Sequence, residues 1–268
     1  MKVLSLRIVF PPSRWSMSPG SITLNDNERI RYLRQMAIDG FGETAQRSLK
    51  DATVTVMGVG GLGSPVSLYL TAAGVGRLIL VDFQAPELSN LNRQVLHWED
   101  DVKNGTMKAI SGANKLRAMN SGTEVVPKMA KIGTDDLCRV VEDSTVIVDC
   151  LDNFDARKLL NVHCVKEGVP FVHAAVEGFS GQLTVIVPGR TPCLDCLFPR
   201  SPARRPLIPI IGFTAGVFGC MEAAEAVKLI TGIGEPLAGR MLVGDLSNNY
   251  WETIEVERNE RCPICGER

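Results

Sequence analysis

The chain has 268 residues, with 29 basic and 30 acidic side chains and a formal net charge of −1. Hydrophobic residues make up 45% and charged residues 22%, a globular composition that excludes a disordered tail, a coiled coil and a collagen-like chain. The near-zero charge gives no electrostatic reason to expect nucleic acid or a membrane surface as a partner. No apolar stretch reaches the ~18 residues that a membrane span needs.

The N-terminal segment differs from an export signal. Its apolar residues are interrupted by Arg7 and end at Pro11 and Pro12, whereas a secretory signal has a longer uncharged apolar region. We therefore expect a poorly ordered arm over residues 1–24, a folded domain over residues 25–268, and a cytoplasmic protein.

Strands and helices alternate through the first part of the chain. This alternation predicts an α/β fold with a Rossmann-like parallel sheet that carries helices on both faces. The predicted elements are helices over 26–38 and Glu43–Lys50, strand Thr53–Met57, helix 64–73, strand Arg77–Val81, helix Lys103–Met119, strand Glu124–Lys128, strand Thr145–Asp149 and helix Ala156–Glu167.

After about residue 170, strands predominate. They are predicted to extend the same sheet with antiparallel strands instead of forming a second domain. The predicted strands are Pro170–Ala174, Gln182–Val187, Met241–Val243 and Tyr250–Val256; a long helix is expected over Thr214–Thr231, and a proline-rich loop over 198–209.

A glycine-rich turn joins the first predicted strand to its helix. In the sequence Gly58-Val-Gly-Gly-Leu-Gly63, Gly58 permits a tight turn, Gly60 allows a phosphate to approach the backbone, and Gly63 allows close packing of helix on strand. The helix N-terminus offers unpaired N–H groups to an anion. Asp82, at the end of the next strand, is placed to accept hydrogen bonds from ribose hydroxyls. The alternative is a turn used only for packing, and the turn itself does not distinguish a dinucleotide from ATP.

Charged residues after the strands favour ATP. Arg93, Lys108 and Asp152 each follow the C-terminal end of a predicted strand, where ligands bind in such sheets. Two cations and a carboxylate suit a triphosphate with Mg²⁺ better than they suit a dinucleotide. Arg93 and Lys108 would otherwise be solvated surface charges.

The eight cysteines fall into two groups. Two C-x-x-C pairs supply four thiolates, which fill a tetrahedral site and leave no position for water, so we expect a structural zinc that ties the C-terminal tail to the sheet. A redox dithiol is the alternative. The paired cysteines are Cys193, Cys196, Cys262 and Cys265; the single ones are Cys138, Cys150, Cys164 and Cys220.

In combination, these motifs resemble the ThiF/MoeB/HesA family, the prokaryotic relatives of ubiquitin-activating enzymes. The resemblance covers roughly residues 26–266 and implies ATP-dependent adenylation of a carboxylate with release of pyrophosphate. The usual substrate in the family is the C-terminal glycine of a ubiquitin-like sulfur carrier. The matching residues are Gly58–Ser64 (with Gly61 in the turn), Asp82, Ser89–Gln94, Asp149–Asn153 and the two C-x-x-C pairs.

The resemblance also implies roles for single residues. Asp82 and Asn90 hold the ribose and nearby atoms, Arg93 and Lys108 hold the phosphates, and Asp152 organises Mg²⁺. Arg34 is expected to reach the triphosphate of the other subunit in a homodimer. From the residues alone, Arg34 would be one charge on an amphipathic helix.

The chain departs from the family in one loop. Many family members have a reactive cysteine before the late helix, but residues Phe198–Phe218 contain none, and Cys220 falls within the helix. The acyl adenylate is therefore expected to pass to a thiol of another protein. The alternative substrate is a small-molecule carboxylate, such as the pyridinol carboxylate in iron–guanylylpyridinol cofactor assembly. An NAD-dependent oxidoreductase and an inactive scaffold are weaker alternatives.

Overall fold

The computed structural model describes residues 22–131, 144–202 and 207–266. The strands in these ranges form one eight-stranded sheet in the order β3-β2-β1-β4-β5-β6-β7-β8. They are β1 (Thr53–Met57), β2 (Arg77–Val81), β3 (Glu124–Lys128), β4 (Val146–Asp149), β5 (Phe171–Glu177), β6 (Ser180–Ile186), β7 (Arg240–Asp245) and β8 (Tyr250–Glu255).

The helices within the same ranges lie mostly between the parallel strands. They are α1 (Asp26–Arg31), α2 (Leu33–Met36), α3 (Gly42–Asp51), α4 (Gly63–Ala73), α5 (Glu99–Lys103), α6 (Lys108–Met119), α7 (Phe154–Glu167), α8 (Leu194–Leu197) and α9 (Gly212–Thr231). None of them is both long and apolar enough to cross a membrane.

The sheet has a parallel half and an antiparallel half. Strands β3, β2, β1, β4 and β5 pair in parallel, and β6, β7 and β8 are added in antiparallel pairs. The predicted fold class is confirmed. From β1 the chain adds β2 and β3 on one side, and from β4 it adds β5 and the later strands on the other side. The sheet therefore has a topological switch point between β1 and β4, and ligands bind at such points in open α/β sheets.

Side chains of the central strands alternate between two apolar clusters. On β2, Leu78 and Leu80 join the cluster under α3, α4, α6 and α9, whereas Ile79 and Val81 join the cluster under α7. This alternation is the period of two expected for a strand, and it explains why both faces of the parallel half are buried.

Two predicted helices are interrupted. The helix predicted over 26–38 divides at Tyr32, whose buried hydroxyl accepts a hydrogen bond from Asn120 Nδ2 at 2.9 Å. The helix predicted over Lys103–Met119 stops at Lys103 and restarts at Lys108, because Gly105 adopts a left-handed conformation with φ of 60°. The other predicted elements agree with the structure to within a few residues.

Two predicted segments lie partly or mostly outside the described residues. The arm over 1–24 is described only from residue 22 onward, where Leu24 is buried. The loop over 198–209 is described except for residues 203–206. The short helix α8 comes immediately before this loop. The arm and the domain boundary at residue 25 stay predictions.

Candidate nucleotide-binding site

The turn from β1 into α4 requires glycine at two positions. A Cβ atom on Gly63 would lie 1.9 Å from the Gly58 carbonyl oxygen, and Gly58 itself has φ of 94°. A Cβ atom on Gly58 would also lie 2.7 Å from the Cys150 carbonyl oxygen, just beyond β4. These glycines therefore bring the ends of β1 and β4 together at the start of α4.

The middle of the turn faces an open crevice. Gly60 and Gly61 are partly exposed. An added Cβ on Gly60 would meet only Gln94, at 3.5 Å, and one on Gly61 would approach Ala215 and the side chain of Arg93. The backbone of the turn is therefore accessible between the Arg93 segment and the first turns of α9.

Asp82 holds the glycine turn in place. This carboxylate lies just after β2, where Oδ2 accepts the Val59 N–H at 2.9 Å and Oδ1 accepts the Gln84 N–H at 2.9 Å. Each carboxylate oxygen has a second acceptor site. Asp82 can therefore still accept a hydrogen bond from a ribose hydroxyl, and this role remains a prediction.

Lys108 is the first residue of α6 and is nearly buried. Its Nζ donates to Gln84 Oε1 at 3.0 Å, and its backbone N–H donates to the Gln84 carbonyl at 2.8 Å. Gln84 thus connects Lys108 to Asp82. The ammonium group is held beside the crevice instead of extending into solvent, and this placement suits contact with a phosphate.

Arg93 lies beside Gly61 of the glycine turn, and Asn90 lies three residues before it. A short 3₁₀ turn, Leu88–Asn90, precedes Arg93, whose Nη1 donates to the Ser89 carbonyl and to Asn92 Oδ1, both at 3.0 Å. Asn90 Oδ1 accepts the Glu87 N–H at 3.2 Å. The Arg93 guanidinium keeps most of its five N–H donors for a ligand.

Asp152 is exposed just after β4, and its position is fixed through the preceding residue. The Leu151 N–H donates to Asp149 Oδ1 at 3.2 Å, and the Leu151 carbonyl accepts from Arg157 Nε at 3.1 Å and from its Nη2. With Gly58 packed against Cys150, these bonds place Asp152 at the same sheet edge as the glycine turn. Its carboxylate suits Mg²⁺ bound to ATP phosphates.

A buried polar cluster lies beneath the Asp152 loop. Asp149 Oδ2 accepts from His173 Nδ1 at 2.7 Å, Arg157 Nε lies 3.9 Å from the same oxygen, and Cys150 Sγ lies 3.7 Å from Glu222 Oε2. Burial, reinforced by the nearby charge of Asp149, raises the pKa of Glu222 well above its usual range. Glu222 therefore keeps its proton to a higher pH in the folded chain than in the unfolded chain.

The unfolding free energy of the unaltered chain should fall as the pH rises, and we expect this fall to be smaller in Glu222→Gln. Above the ordinary carboxyl pKa the unfolded chain ionises Glu222 while the folded chain keeps the proton, so unfolding releases a proton. The unfolding free energy then falls as pH rises toward the raised folded pKa, by up to about 1.4 kcal/mol per pH unit. Urea unfolding between pH 5 and 8 measures this slope. Exposed Glu235→Gln should follow the unaltered chain, and a Glu222→Gln curve parallel to it would contradict the prediction.

Arg34 is exposed on α2, away from the other predicted residues. The neighbouring Gln35 donates to the Ala73 carbonyl at 2.8 Å, at the C-terminal end of α4. The glycine turn is at the other end of this 11-residue helix, about 16 Å away along its axis. The structure therefore does not bring the Arg34 segment to the crevice of its own chain.

The two C-x-x-C pairs converge, as predicted. The four Sγ atoms of Cys193, Cys196, Cys262 and Cys265 all lie within 4.8 Å of one another. Sγ atoms of residues 193 and 262 are 3.6 Å apart, and those of residues 196 and 265 are 3.4 Å apart. Zn–S bonds of ~2.3 Å in a tetrahedron place sulfurs about 3.8 Å apart, so the four thiolates fit zinc.

Several residues around the crevice were not foreseen. Asp149 and His173 pair because β4 and β5 are parallel in a register that aligns them, and Gln84 had no motif to mark it. His97, which none of the sequence motifs includes, is buried against the glycine turn. Only knowledge of strand register and helix packing identifies these contacts.

The fold and the crevice define a nucleotide-binding α/β protein with a cysteine cluster suited to zinc. Comparison with known proteins identifies it more closely. The sequence model of the ThiF family matches residues 32–264, and the chain therefore belongs to the ThiF family.

Similar proteins agree with this assignment. "Protein HesA, heterocyst" of Trichormus variabilis is 41% identical over 91% of each chain, and the "SAMP-activating enzyme E1" of Haloferax volcanii is 42% identical over 92% of each chain. The structure of Escherichia coli MccB with ATP is 26% identical with a TM-score of 0.74, covering 90% of this chain and 75% of that one. The chain is an adenylyltransferase of this family.

Proposed function

We propose that the chain adenylates the C-terminal glycine carboxylate of a ubiquitin-like carrier protein with ATP and releases pyrophosphate. The observation that carries this proposal is the 42% identity, over nearly the whole of both chains, to a protein named as an activating enzyme. The crevice supports it, because Lys108, Arg93 and Asp152 surround the glycine turn at the switch point of the sheet.

The reaction needs positioning and charge stabilisation. A carboxylate oxygen attacks the α-phosphorus of ATP, the bond from that phosphorus to the bridging oxygen breaks, and pyrophosphate leaves with the bonding electrons. Lys108 and Arg93 bind phosphate oxygens, and the glycine turn offers backbone N–H groups. Asp152 would hold Mg²⁺, which neutralises phosphate charge when bound. The protein contributes no covalent intermediate to this step.

A second copy of the chain is proposed to complete each site. Arg34 is exposed, and its segment is anchored at the end of α4 that is far from the glycine turn. Its guanidinium would therefore bind the triphosphate in the crevice of the other subunit. Large apolar side chains beside it are exposed in the single chain: Ile30, Leu33 and Ile38 are 75%, 61% and 56% exposed. Their burial in a homodimer would stabilise the assembly.

An apolar surface next to the crevice supports a protein substrate. Phe179 and Phe213 are 42% and 49% exposed, with ring centroids 5.5 Å apart, and Ile211 lies beside them. They adjoin the crevice, since α9 begins against the backbone of Asn92 and Arg93. Exposed aromatic clusters of this kind mark protein interaction sites more often than sites for small polar acids.

A small-molecule or peptide carboxylate is the second candidate, because the loop before α9 has no cysteine. Burial raises the pKa of the Cys150, Cys164 and Cys220 thiols, which disfavours the thiolate form. Cys138 lies outside the described residues. We propose that the adenylate passes to a thiol of an acceptor protein in either case.

ATP–pyrophosphate exchange with a panel of substrates tests the proposal. We expect exchange with a carrier ending in Gly-Gly and none with the same carrier lacking its last two residues. Stimulation by small carboxylates alone would support the second candidate. Binding of NAD with no binding of ATP would overturn both.

A further inference from the structure

His97 links the glycine turn to α6. It is 3% exposed in a short segment between Arg93 and α5. Its Nε2 lies 2.7 Å from the Val59 carbonyl oxygen, and its Nδ1 lies 3.0 Å from Ser111 Oγ on α6. A carbonyl oxygen only accepts hydrogen bonds, so Nε2 carries the proton and Nδ1 of the neutral ring accepts the Ser111 O–H.

The surroundings of the ring keep it in this form. Burial lowers the pKa of His97, and the charges that face it are Lys115, Lys108 and Asp101. Ser111 Oγ also accepts from Lys115 Nζ at 2.8 Å, and Lys115 pairs with Asp101. The Ser111 hydroxyl proton is shared between the Asp101 carboxylate and Nδ1 of His97.

The hydrogen bond from His97 fixes one peptide group of the turn. The Val59 N–H, which belongs to the preceding Gly58–Val59 peptide, is held by Asp82, and the Val59 carbonyl is held by His97, so the two peptide groups that flank Val59 are both fixed. In a trans peptide the carbonyl and the following N–H point in opposite directions. Because the carbonyl points inward to His97, the Gly60 N–H points outward. It donates to no other group within residues 22–131, 144–202 and 207–266.

We propose that His97 is a positioning residue for the nucleotide: by holding the Val59 carbonyl, it aims the Gly60 N–H at a phosphate in the crevice. This inference rests on the proposed function, since it requires ATP to bind at the glycine turn. His97 does not touch the ligand in this account. It acts through the orientation of one backbone donor.

Direct binding measurements test this role without needing the carboxylate substrate. Displacement of a fluorescent ATP analogue by ATP and by adenosine gives the affinity for each. His97→Met keeps the bulk but removes the donor, and we expect a roughly 10- to 100-fold loss of ATP affinity, the cost of one hydrogen bond to a charged group. Adenosine affinity should change by less than about twofold, because adenosine has no phosphate.

His97→Gln is the conservative variant, because its amide supplies both an N–H for Val59 and a carbonyl for the Ser111 hydroxyl. We expect it to keep ATP affinity within about threefold. His163→Met on α7 makes the same chemical change elsewhere and should leave both affinities unaltered. If His97→Met does not fold, Ser111→Ala replaces it, with a selective loss of ATP affinity expected.

Equal losses for His97→Met and His97→Gln would overturn the inference, as would equal losses for ATP and adenosine. Unchanged ATP affinity in His97→Met, or in Ser111→Ala where that variant replaces it, would also overturn it while leaving the proposed function intact. Failure of the unaltered chain to bind ATP would overturn the proposed function itself.

Discussion

Asp152→Ala and Arg93→Ala should each abolish ATP–pyrophosphate exchange, a loss on the order of 10³ in rate, while both variants fold normally. Asp152 is exposed and its side chain contacts only Asn153 Nδ2, at 3.5 Å, within the described chain. Arg93 is partly exposed, and among the described residues its side chain donates only to Ser89 and Asn92, in its own segment. Neither truncation leaves a buried partner unsatisfied, so the expected loss is one of phosphate and Mg²⁺ binding, not of stability.

Exchange assays with the substrate found in the panel measure this loss, and circular dichroism with thermal melting establishes folding. The matched controls are two variants at exposed positions. Asp155→Ala removes an exposed carboxylate in the first turn of α7, and Lys103→Ala removes an exposed cation on α5. Both should retain exchange. Activity comparable to the unaltered chain in either Asp152→Ala or Arg93→Ala would refute its assigned role.

Mixing variants extends the same test to the homodimer. Arg34→Ala should also lose exchange, because each site would lack a cation from its partner. When Arg34→Ala and Asp152→Ala subunits are dissociated and reassembled together, half of the dimers are mixed and contain one intact site. About a quarter of the original activity should return by this arithmetic. No recovery in the mixture would contradict a role for Arg34 across a subunit interface.

Local sequence patterns were sufficient for the elements that build the crevice. The side chains of the buried strands before Gly58 and Asp82 alternate between two apolar clusters. The turn after the first of these strands needs glycine because a Cβ atom there would clash with backbone atoms, and the spacing of the glycines in the sequence already indicates this. The rule that strand ends meet at one edge predicts that Arg93, Lys108 and Asp152 lie near the glycine turn, and their roles in binding ATP stay predictions.

Long-range contacts could not be predicted in this way. The break at Tyr32 depends on Asn120, 88 residues later, and the Asp149–His173 pair depends on the register of β4 against β5. The contacts of His97 join it to Val59 in the glycine turn and to Ser111 on α6, which are 38 and 14 residues away in sequence. Each is a tertiary interaction that overrides or escapes a local pattern.

The cysteine cluster lies where the C-terminal tail packs under α7, and the zinc that we expect it to bind leads to the second large prediction. Cys193, Cys262 and Cys265 are buried in the apolar cluster under α7. The adjacent Asp195 accepts from Lys158 Nζ at 2.6 Å and from Asn161 Nδ2 at 2.8 Å, and both donors are on α7. The metal would therefore connect the tail, α8 and the helix that follows Asp152.

We expect one zinc per chain, and we expect its removal to lower the melting temperature by about 6–20 °C. Structural zinc contributes roughly 10–16 kcal/mol in small peptides. A domain with its own core depends on it less, and a loss of about 3–5 kcal/mol shifts the melting of a chain this size by about 2–4 °C per kcal/mol. Without metal, the four thiols, three of them buried, lose their ligand bonds and keep only weak S–H···S contacts with one another.

Elemental analysis of protein purified without chelator, followed by melting with and without chelator, measures both quantities. Cys262→Ser should lose zinc and melt at the temperature of the chelated protein, and chelator should have no further effect on it. Cys220→Ser, a partly exposed cysteine outside the cluster, should keep zinc and the original melting temperature. Zinc-free protein from such a preparation, or identical melting before and after chelation, would leave the cluster as a set of reduced thiols. The tail would then be held without a metal, with its apolar residues packed against α7.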